Sequence, residues 1–355
     1  MLEDYMRSYP QKGVYVDCYF LMGCDNEAHG CGYVDENGKR QMTAPLLATR
    51  RHYERLYNII KAADPEYGWL RIHDWGPMMP IAAFCDENWS GEGLIGPIGN
   101  TPEKNYYRVV DLPYARIEFR NEQWGHFQNW LTELGVSAGT DPERRAEWFG
   151  KMISPPKDGK RGEWVIPRMA DYDHVAGLAL IHDMWNIGGN DAGISAQRLN
   201  KMMREMGWDE AVRFRGYWEL GDRLIVDGGV PEQIVCSLFY RPAGKDADGK
   251  PTKPWLMLAA MNNSDEDATI TLRPNLKMFG LESLANGVMR DMYAATGYVY
   301  DLPTVLNPGD PEPPYVVIDP EEKLFAMKSG AAQVSIPKRH FRALLLESSA
   351  APRSE

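Results

Sequence analysis

A chain of 355 residues and 40.3 kDa is long enough to bury a substantial core, and by length alone it suggests two domains. Its 39 Lys and Arg against 50 Asp and Glu leave a net charge of -11, which repels phosphate backbones with no basic block to offset it, so no nucleic-acid partner is expected. No run approaches the ~20 apolar residues of a membrane span and the first ten residues lack the order of a signal peptide, so no membrane partner is expected and no export instruction is visible.

The first strand covers Val14 to Val16 and ends at Asp17, which opens the loop Cys24-Asp25-Asn26-Glu27-Ala28-His29-Gly30-Cys31-Gly32-Tyr33. A helix follows from about Leu46 to Ala62, with Leu46, Tyr53, Leu56, Tyr57 and Ile60 on one face, and Pro65 stops it. Trp69 to His73 is the second strand, leading into Asp74-Trp75-Gly76-Pro77. Met79 to Phe84 reads as a short helix, and Cys85 to Gly93 as turn-rich. Arg116 to Phe119 reads as a third strand, Gln123 to Leu134 as a helix, and about Met169 to Trp185 and Ala196 to Met206 as two more helices.

After Trp208 the character changes. Phe214 to Trp218, Ile234 to Tyr240, Trp255 to Met261, Thr269 to Leu272 and Arg342 to Leu346 are short strands separated by Gly, Pro, Asn and Asp. The expected fold class is therefore α/β: a (β/α)8 TIM-type barrel over residues 1–208, followed by an antiparallel β-sandwich over residues 209–355. A complete barrel takes about 250 residues, more than the βα region offers. The expectation is the C-terminal half of a barrel, and a missing N-terminal half would be a partner, because open parallel edges are costly to expose.

Strands of a (β/α) barrel deliver catalytic groups at their carboxyl ends. Asp17, His73, Asp86 and Glu92 all stand where strands are read to end, so they are expected to converge on one cleft. Glycoside hydrolysis needs two carboxyl groups, and Asp17 with Glu92 or Asp86 supplies them. The ordinary alternative is a loop-capping Asp17 with solvated Asp86 and Glu92. His73 offers a donor and an acceptor to a sugar hydroxyl, while Trp75 and Trp89 offer apolar faces for the C–H face of a sugar ring or for plain packing.

Cys18, Cys24, His29 and Cys31 are zinc-ligand types, yet the spacing lacks the common C-x2-C pairs and no second pair follows. A Cys24–Cys31 disulfide is preferred over zinc here, with free thiols as the remaining choice. No cofactor is expected. Gly188 to Gly193 is glycine-rich but reads as lying between helices, which fails the context of a phosphate-binding loop. There is no G-x-S-x-G elbow or H-E-x-x-H pair.

Gly13-Val14-Tyr15-Val16-Asp17, the Cys24 to Tyr33 loop with its following Asp-x-x-Gly, Arg50-Arg51-x-Tyr53-x-Arg55-Leu56-Tyr57, Ile72-His73 and Gly91-Glu92 together resemble the barrel of glycoside-hydrolase-like proteins related to glycoside hydrolase family 123. The resemblance runs by motif from Gly13 to Glu92 and continues as general architecture into the C-terminal β domain. It implies a retaining barrel glycosidase, secreted or periplasmic, with a carbohydrate substrate. Enzymes of that family use the substrate's acetamido group as nucleophile, with an adjacent Asp-Glu pair as orienter and acid. Asp86-Glu87 is such a pair here in a different local setting, and Glu87 and His29 join the substrate-binding candidates. The chain lacks the N-terminal β module and early barrel strands of the family. The resulting expectation is a glycoside hydrolase with Asp17 as nucleophile or stabiliser and Glu92 as acid/base. The rival expectation is a non-catalytic carbohydrate-binding or assembly protein derived from such a barrel.

Overall fold

A computed structural model describes residues 2–9, 12–17, 21–73, 79–91, 94, 110–118, 126–130, 169–186, 193–230, 232–246, 248–301 and 315–347. The chain divides into two compact units, Met1–Thr132 with Met184–Ile187, and Glu133–Asp183 with Gly188–Glu355.

The first unit holds helices α1 (Leu2–Ser8), α2 (Leu46–Ala63), α3 (Met79–Ala82) and α4 (Leu112–Glu118). Its strands are β1 (Gly13–Val16), the hairpin pair β2 (Tyr33–Val34) and β3 (Arg40–Gln41), then β4 (Trp69–His73), β5 (Glu87–Ser90), β6 (Phe127–Trp130) and β7 (Trp185–Asn186). Strands β1, β4, β5, β6 and β7 form one parallel sheet in that order. Alternate residues of a strand point to opposite faces. Val14 and Val16 on β1 and Leu70 and Ile72 on β4 join Tyr53 and Ile60 of α2 and Ile81 and Ala82 of α3 in an apolar cluster. Gly13 permits the close pairing of β1 with β4, since a Cβ there would lie 2.2 Å from the Trp69 carbonyl oxygen.

Several sequence expectations are corrected in this unit. The stretch read as turns contains β5, and the helix read over 123–134 contains β6; both are polar strands whose Asn88, Ser90 and Asn129 are buried, so hydrophobic periodicity does not mark them. Of the strand read at 116–119, residues 116–118 are the end of α4, at whose start the Asp111 carboxylate accepts the Tyr114 N–H at 2.8 Å. The glycine-rich Gly188 to Asp191 lies outside the described residues; the element before it is β7, a strand rather than a helix. Among the described residues the parallel sheet has five strands, a small sheet where the C-terminal half of an eight-stranded barrel was expected.

The second unit is built on one antiparallel sheet. Its strands are β8 (Arg213–Arg215), β9 (Leu224–Asp227) and β10 (Ile234–Arg241), and, after the short pair β11 (Gly244–Lys245) and β12 (Pro251–Thr252), β13 (Trp255–Asn262) and β14 (Ala268–Pro274). It continues with β15 (Val288–Asp291), the separate pair β16 (Tyr298–Asp301) and β17 (Tyr315–Ile318), and β18 (Leu324–Lys328), β19 (Ala331–Ile336) and β20 (His340–Glu347). The nine-strand order is β8-β10-β13-β20-β15-β18-β19-β14-β9. Leu238, Leu256, Leu258 and Leu344 from one half share a core with Ile270, Leu272, Val334 and Ile336 from the other. The sheet therefore curls around its own core, where a sandwich of two sheets was expected.

Helices α5 (Met169–Ile181) and α6 (Gly193–Glu205) belong to this unit. Helix α5 packs on β13 and β20 and is buried from Tyr172 to Ile181. That explains why β10 and β13 are buried on both faces: one face meets the curled core and the other meets the helix. Polar bonds fix this contact, with the Ser237 hydroxyl donating to the Ile181 carbonyl at 2.6 Å and the Tyr293 hydroxyl donating to Asp173 at 2.6 Å.

Candidate functional site

On the parallel sheet, the face opposite the apolar cluster carries a different chemistry. Register places Tyr15 beside Arg71, Arg71 beside Glu87 and Glu87 beside Phe127, and one step on, His73 beside Trp89 and Trp89 beside Asn129. In-register neighbours on parallel strands share a face. The result is a polar and aromatic surface of Tyr15, Trp69, Arg71, His73, Glu87, Trp89, Phe127 and Asn129, leading to Asp17 just beyond β1.

Glu87 is buried at its centre. One carboxylate oxygen accepts from the Trp69 indole N–H at 2.7 Å and Arg71 Nε at 2.6 Å. The other accepts from the Trp89 indole N–H at 2.6 Å and from the Asn129 amide. Four N–H donors occupy its oxygens. The Arg71 guanidinium, drawn to Glu87 at 2.5 Å, also lies 4.8 Å from the centre of the Trp89 ring, a cation–π contact. The Trp89 ring is thus fixed by its N–H and by its face.

At the carboxyl ends of β1 and β4, His73 Nδ1 lies 2.8 Å and the Tyr15 hydroxyl 3.0 Å from the same oxygen of Asp17. The hydroxyl and Nδ1 are themselves 3.1 Å apart. An ionised carboxylate only accepts, so both groups are assigned as donors to it. His73 is buried, while the Asp17 side chain is 60% exposed. The Tyr15 ring packs 5.0 Å from the Trp89 ring. A carboxylate held by two donors and open to solvent, next to an oriented indole, can act on or bind a hydroxylated ligand.

Asp17, His73 and Trp89 are therefore brought together, and Glu87 joins them as the clamp beneath Trp89. Asp86 does not join them. Strand β5 begins at Glu87, so Asp86 stands at the amino end of the sheet, opposite Asp17. There it accepts from Lys61 of α2 at 2.7 Å and from the Leu70 N–H at 2.8 Å. The adjacent Asp86 and Glu87 carboxyls diverge to the two faces, which corrects their expected joint role as orienter and acid. Glu92 and Trp75 lie outside the described residues. Tyr15, Arg71 and Asn129 were missed by sequence reasoning; the i, i+2 spacing from Asp17 and from His73 was the available signal for the first two.

The exposed His29 sits in the loop between β1 and α2, in a separate cluster. Its Nδ1 lies 3.7 Å from Cys24 Sγ, and the ligand atoms of Cys24, His29 and Cys31 all lie within 4.8 Å of one another. Both cysteines are free thiols, which corrects the expected disulfide. The Asn26 backbone N–H, then His29 and Cys31, hold the Cys24 thiol below its ordinary value, while donation to Cys24 pushes Cys31 up.

Two cavities lie elsewhere in this unit. One of about 810 Å³ is formed by α1 and α2 around Met6, Arg51, Arg55 and Asn58. Another of about 350 Å³ lies toward the amino end of the sheet, lined by Tyr57, Trp69, Asp86, His126 and Phe127. Among the described residues no helix is long and apolar enough to cross a membrane.

No protein-family model matches the chain, and no curated protein matches its sequence. Similar solved structures include a noncanonical maltogenic α-amylase from Thermotoga neapolitana, 10% identical with a TM-score of 0.38, in which 95% of this chain covers 77% of that one. An Anoxybacillus α-amylase is 9% identical with a TM-score of 0.41, and 85% of this chain covers 57% of it. A glycoside hydrolase family 97 enzyme from Pseudoalteromonas, solved in complex with acarbose, is 10% identical with a TM-score of 0.41; 99% of this chain covers 44% of that one. The chain thus spans less than two thirds of the latter two. It bears a distant structural resemblance to glycoside hydrolases at low sequence identity, without assignment to one family.

Proposed function

We propose that this chain is a glycoside hydrolase acting on a polysaccharide or complex glycan, secreted or periplasmic, and related to family 123 by the motifs between Gly13 and Glu92. The observation that supports the reading best is the solvent-open Asp17 carboxylate, held by Tyr15 and His73 at the carboxyl ends of parallel strands beside the clamped Trp89 ring. Indole faces suit the C–H faces of sugar rings, and carboxyl ends of parallel strands are where α/β enzymes place their chemistry.

In this proposal Asp17 attacks the anomeric carbon or stabilises its positive charge, and Glu92, two residues past the end of β5, protonates the departing oxygen. Water activated by Glu92 then releases the sugar. Glu87 serves as a positioning residue, because its oxygens are already occupied. The same fact favours a second reading. Among the described residues of the polar face and its edge, Asp17 and Glu87 are the carboxylates, and of these Asp17 is the exposed one, which suits a non-catalytic carbohydrate-binding protein.

Hydrolysis of a panel of aryl glycosides and N-acetylhexosaminides separates the two. The hydrolase reading expects activity that falls by roughly 10²- to 10⁴-fold in Asp17→Asn and in Glu92→Gln, with both variants folded. No hydrolysis, together with glycan-array binding that Trp89→Ala abolishes, overturns it in favour of the binding protein.

A further inference from the structure

The loop between β1 and α2 carries a constellation that the proposed hydrolysis does not use. It is a built structure rather than a chance approach of side chains. Cys24 and Thr43 exchange backbone hydrogen bonds, each 3.0 Å. The Asn26 side chain caps a short 3-10 turn over Glu27–His29 by accepting the Ala28 N–H at 2.9 Å. Gly30 ends that turn at φ 69°, a left-handed conformation that suits glycine, and returns the chain so that the Cys31 N–H reaches the Asn26 carbonyl at 3.1 Å. Arg40 of β3 then binds the Asp25 carbonyl at 2.5 Å, the Cys31 carbonyl at 2.6 Å and the Glu27 carboxylate at 2.6 Å.

The consequence of this bracing is the convergence of Cys24, His29 and Cys31, with all three ligand atoms within 4.8 Å of one another and Cys24 Sγ 3.7 Å from His29 Nδ1. Zinc holds thiolate sulfur at about 2.3 Å and imidazole nitrogen at about 2.0–2.1 Å in tetrahedral sites, which places sulfur and nitrogen about 3.6 Å apart across the ion. The observed separation matches that span. We propose that Cys24, His29 and Cys31 bind a soft divalent cation of the zinc class. Two thiolates neutralise its charge, and water takes the fourth position. The donor set excludes magnesium and calcium, which require oxygen ligands. Binding displaces the thiol protons to solvent, and no electron is transferred. The sequence marks these residues as zinc-ligand types, but the six residues between the two cysteines depart from the common C-x2-C spacing, and it is the Gly30 turn that brings the three together.

The test uses the full chain, reduced and stripped of metal by a chelator. Cobalt(II) chloride is titrated in, followed by zinc chloride. The expected result is one equivalent of cobalt with a thiolate-to-cobalt charge-transfer band and the visible bands of a tetrahedral ion, both removed by one equivalent of zinc. Cys24→Ser, Cys31→Ser and His29→Gln each weaken zinc binding by about 100-fold or more, with unchanged far-ultraviolet circular dichroism. Cobalt spectra of octahedral type overturn the proposal, as does zinc affinity that survives both Cys→Ser substitutions. So does a Cys24–Cys31 disulfide, read as the loss of two hydrogens by mass spectrometry, that forms in air in the presence of equimolar zinc.

Discussion

Lowering the pH is expected to weaken the second unit through a single imidazole in α5. His174 is fully buried, and its Nε2 donates to the Asn263 side-chain oxygen at 2.8 Å, an oxygen that also accepts from Arg339 at 3.1 Å. Burial brings its pKa from 6.5 down to about 3, against the upward pull of the Asn263 bond and with the positive charges of Arg339 and His340 assisting. The unfolded chain therefore takes up this proton first as pH falls. Stability from this group is complete above the unfolded value and is lost progressively between 6.5 and about 3. At about 1.4 kcal/mol per pH unit, the step from pH 7 to pH 5 costs roughly 2 kcal/mol. His174→Gln retains a donor for Asn263 and does not titrate, so the comparison isolates this one group. Urea unfolding of the two proteins across this pH range, read by tryptophan fluorescence, is expected to show a stability difference that changes by about 2 kcal/mol in the variant's favour toward acid. Parallel stability curves would refute the reasoning.

Other consequences follow from the same packing. Glu87→Ala leaves the Arg71 guanidinium, two indole N–H groups and the Asn129 amide without their shared acceptor. A loss of about 3–5 kcal/mol is expected in urea unfolding, and a loss below about 1 kcal/mol would show that the clamp is not holding the sheet. Gly177→Ala in α5 sets a Cβ 2.8 Å from Phe341 Cδ1 and 2.9 Å from its Cβ. An overpacking cost of about 1–3 kcal/mol then exceeds the helix-propensity gain of about 1 kcal/mol, so calorimetry is expected to give a lower Tm, and a raised Tm would contradict the packing of α5 on β20.

What the sequence made legible follows burial. Helix α2 and strands β1 and β4 are read correctly because one face of each is apolar and meets the same cluster. Strands β10, β13 and β20 are read as continuous apolar runs, which is how strands covered on both sides appear. Strands β5 and β6 fail the same reading because Glu87, Asn88, Ser90 and Asn129 are buried and polar. Helix α4 is missed because Ile117 and Phe119 imitate strand alternation, although Asp111 followed by Pro113 signals a helix start. Helix α5 is recognised as a helix, but its apolar residues lie all round it, so periodicity indicates no partner face. Of the candidate site, Asp17 and His73 are legible as residues at strand ends, and Trp89 as an aromatic residue flanking them. The Asp86 reading fails because the missed start of β5 reverses which end of the sheet that residue occupies.

The clamp and the candidate carboxylate are linked without touching. Glu87 fixes the Trp89 ring through its N–H, Arg71 lies over that ring, Tyr15 packs against it, and the Tyr15 hydroxyl reaches Asp17. These contacts run from β5 across β4 to β1, so the orientation of Asp17 depends on a buried acid two strands away. A search for two convergent carboxylates on this face meets Glu87 first, and its four donors show why it is the wrong partner: a carboxylate whose lone pairs are all engaged has no capacity for a proton in flight. The second carboxyl of a hydrolase must then come from beyond the strand ends, and Glu92 follows β5 at that end. Mutating Glu87 and mutating Glu92 are for this reason different experiments, the first acting on fold and ring orientation and the second testing the proton transfer proposed for Glu92.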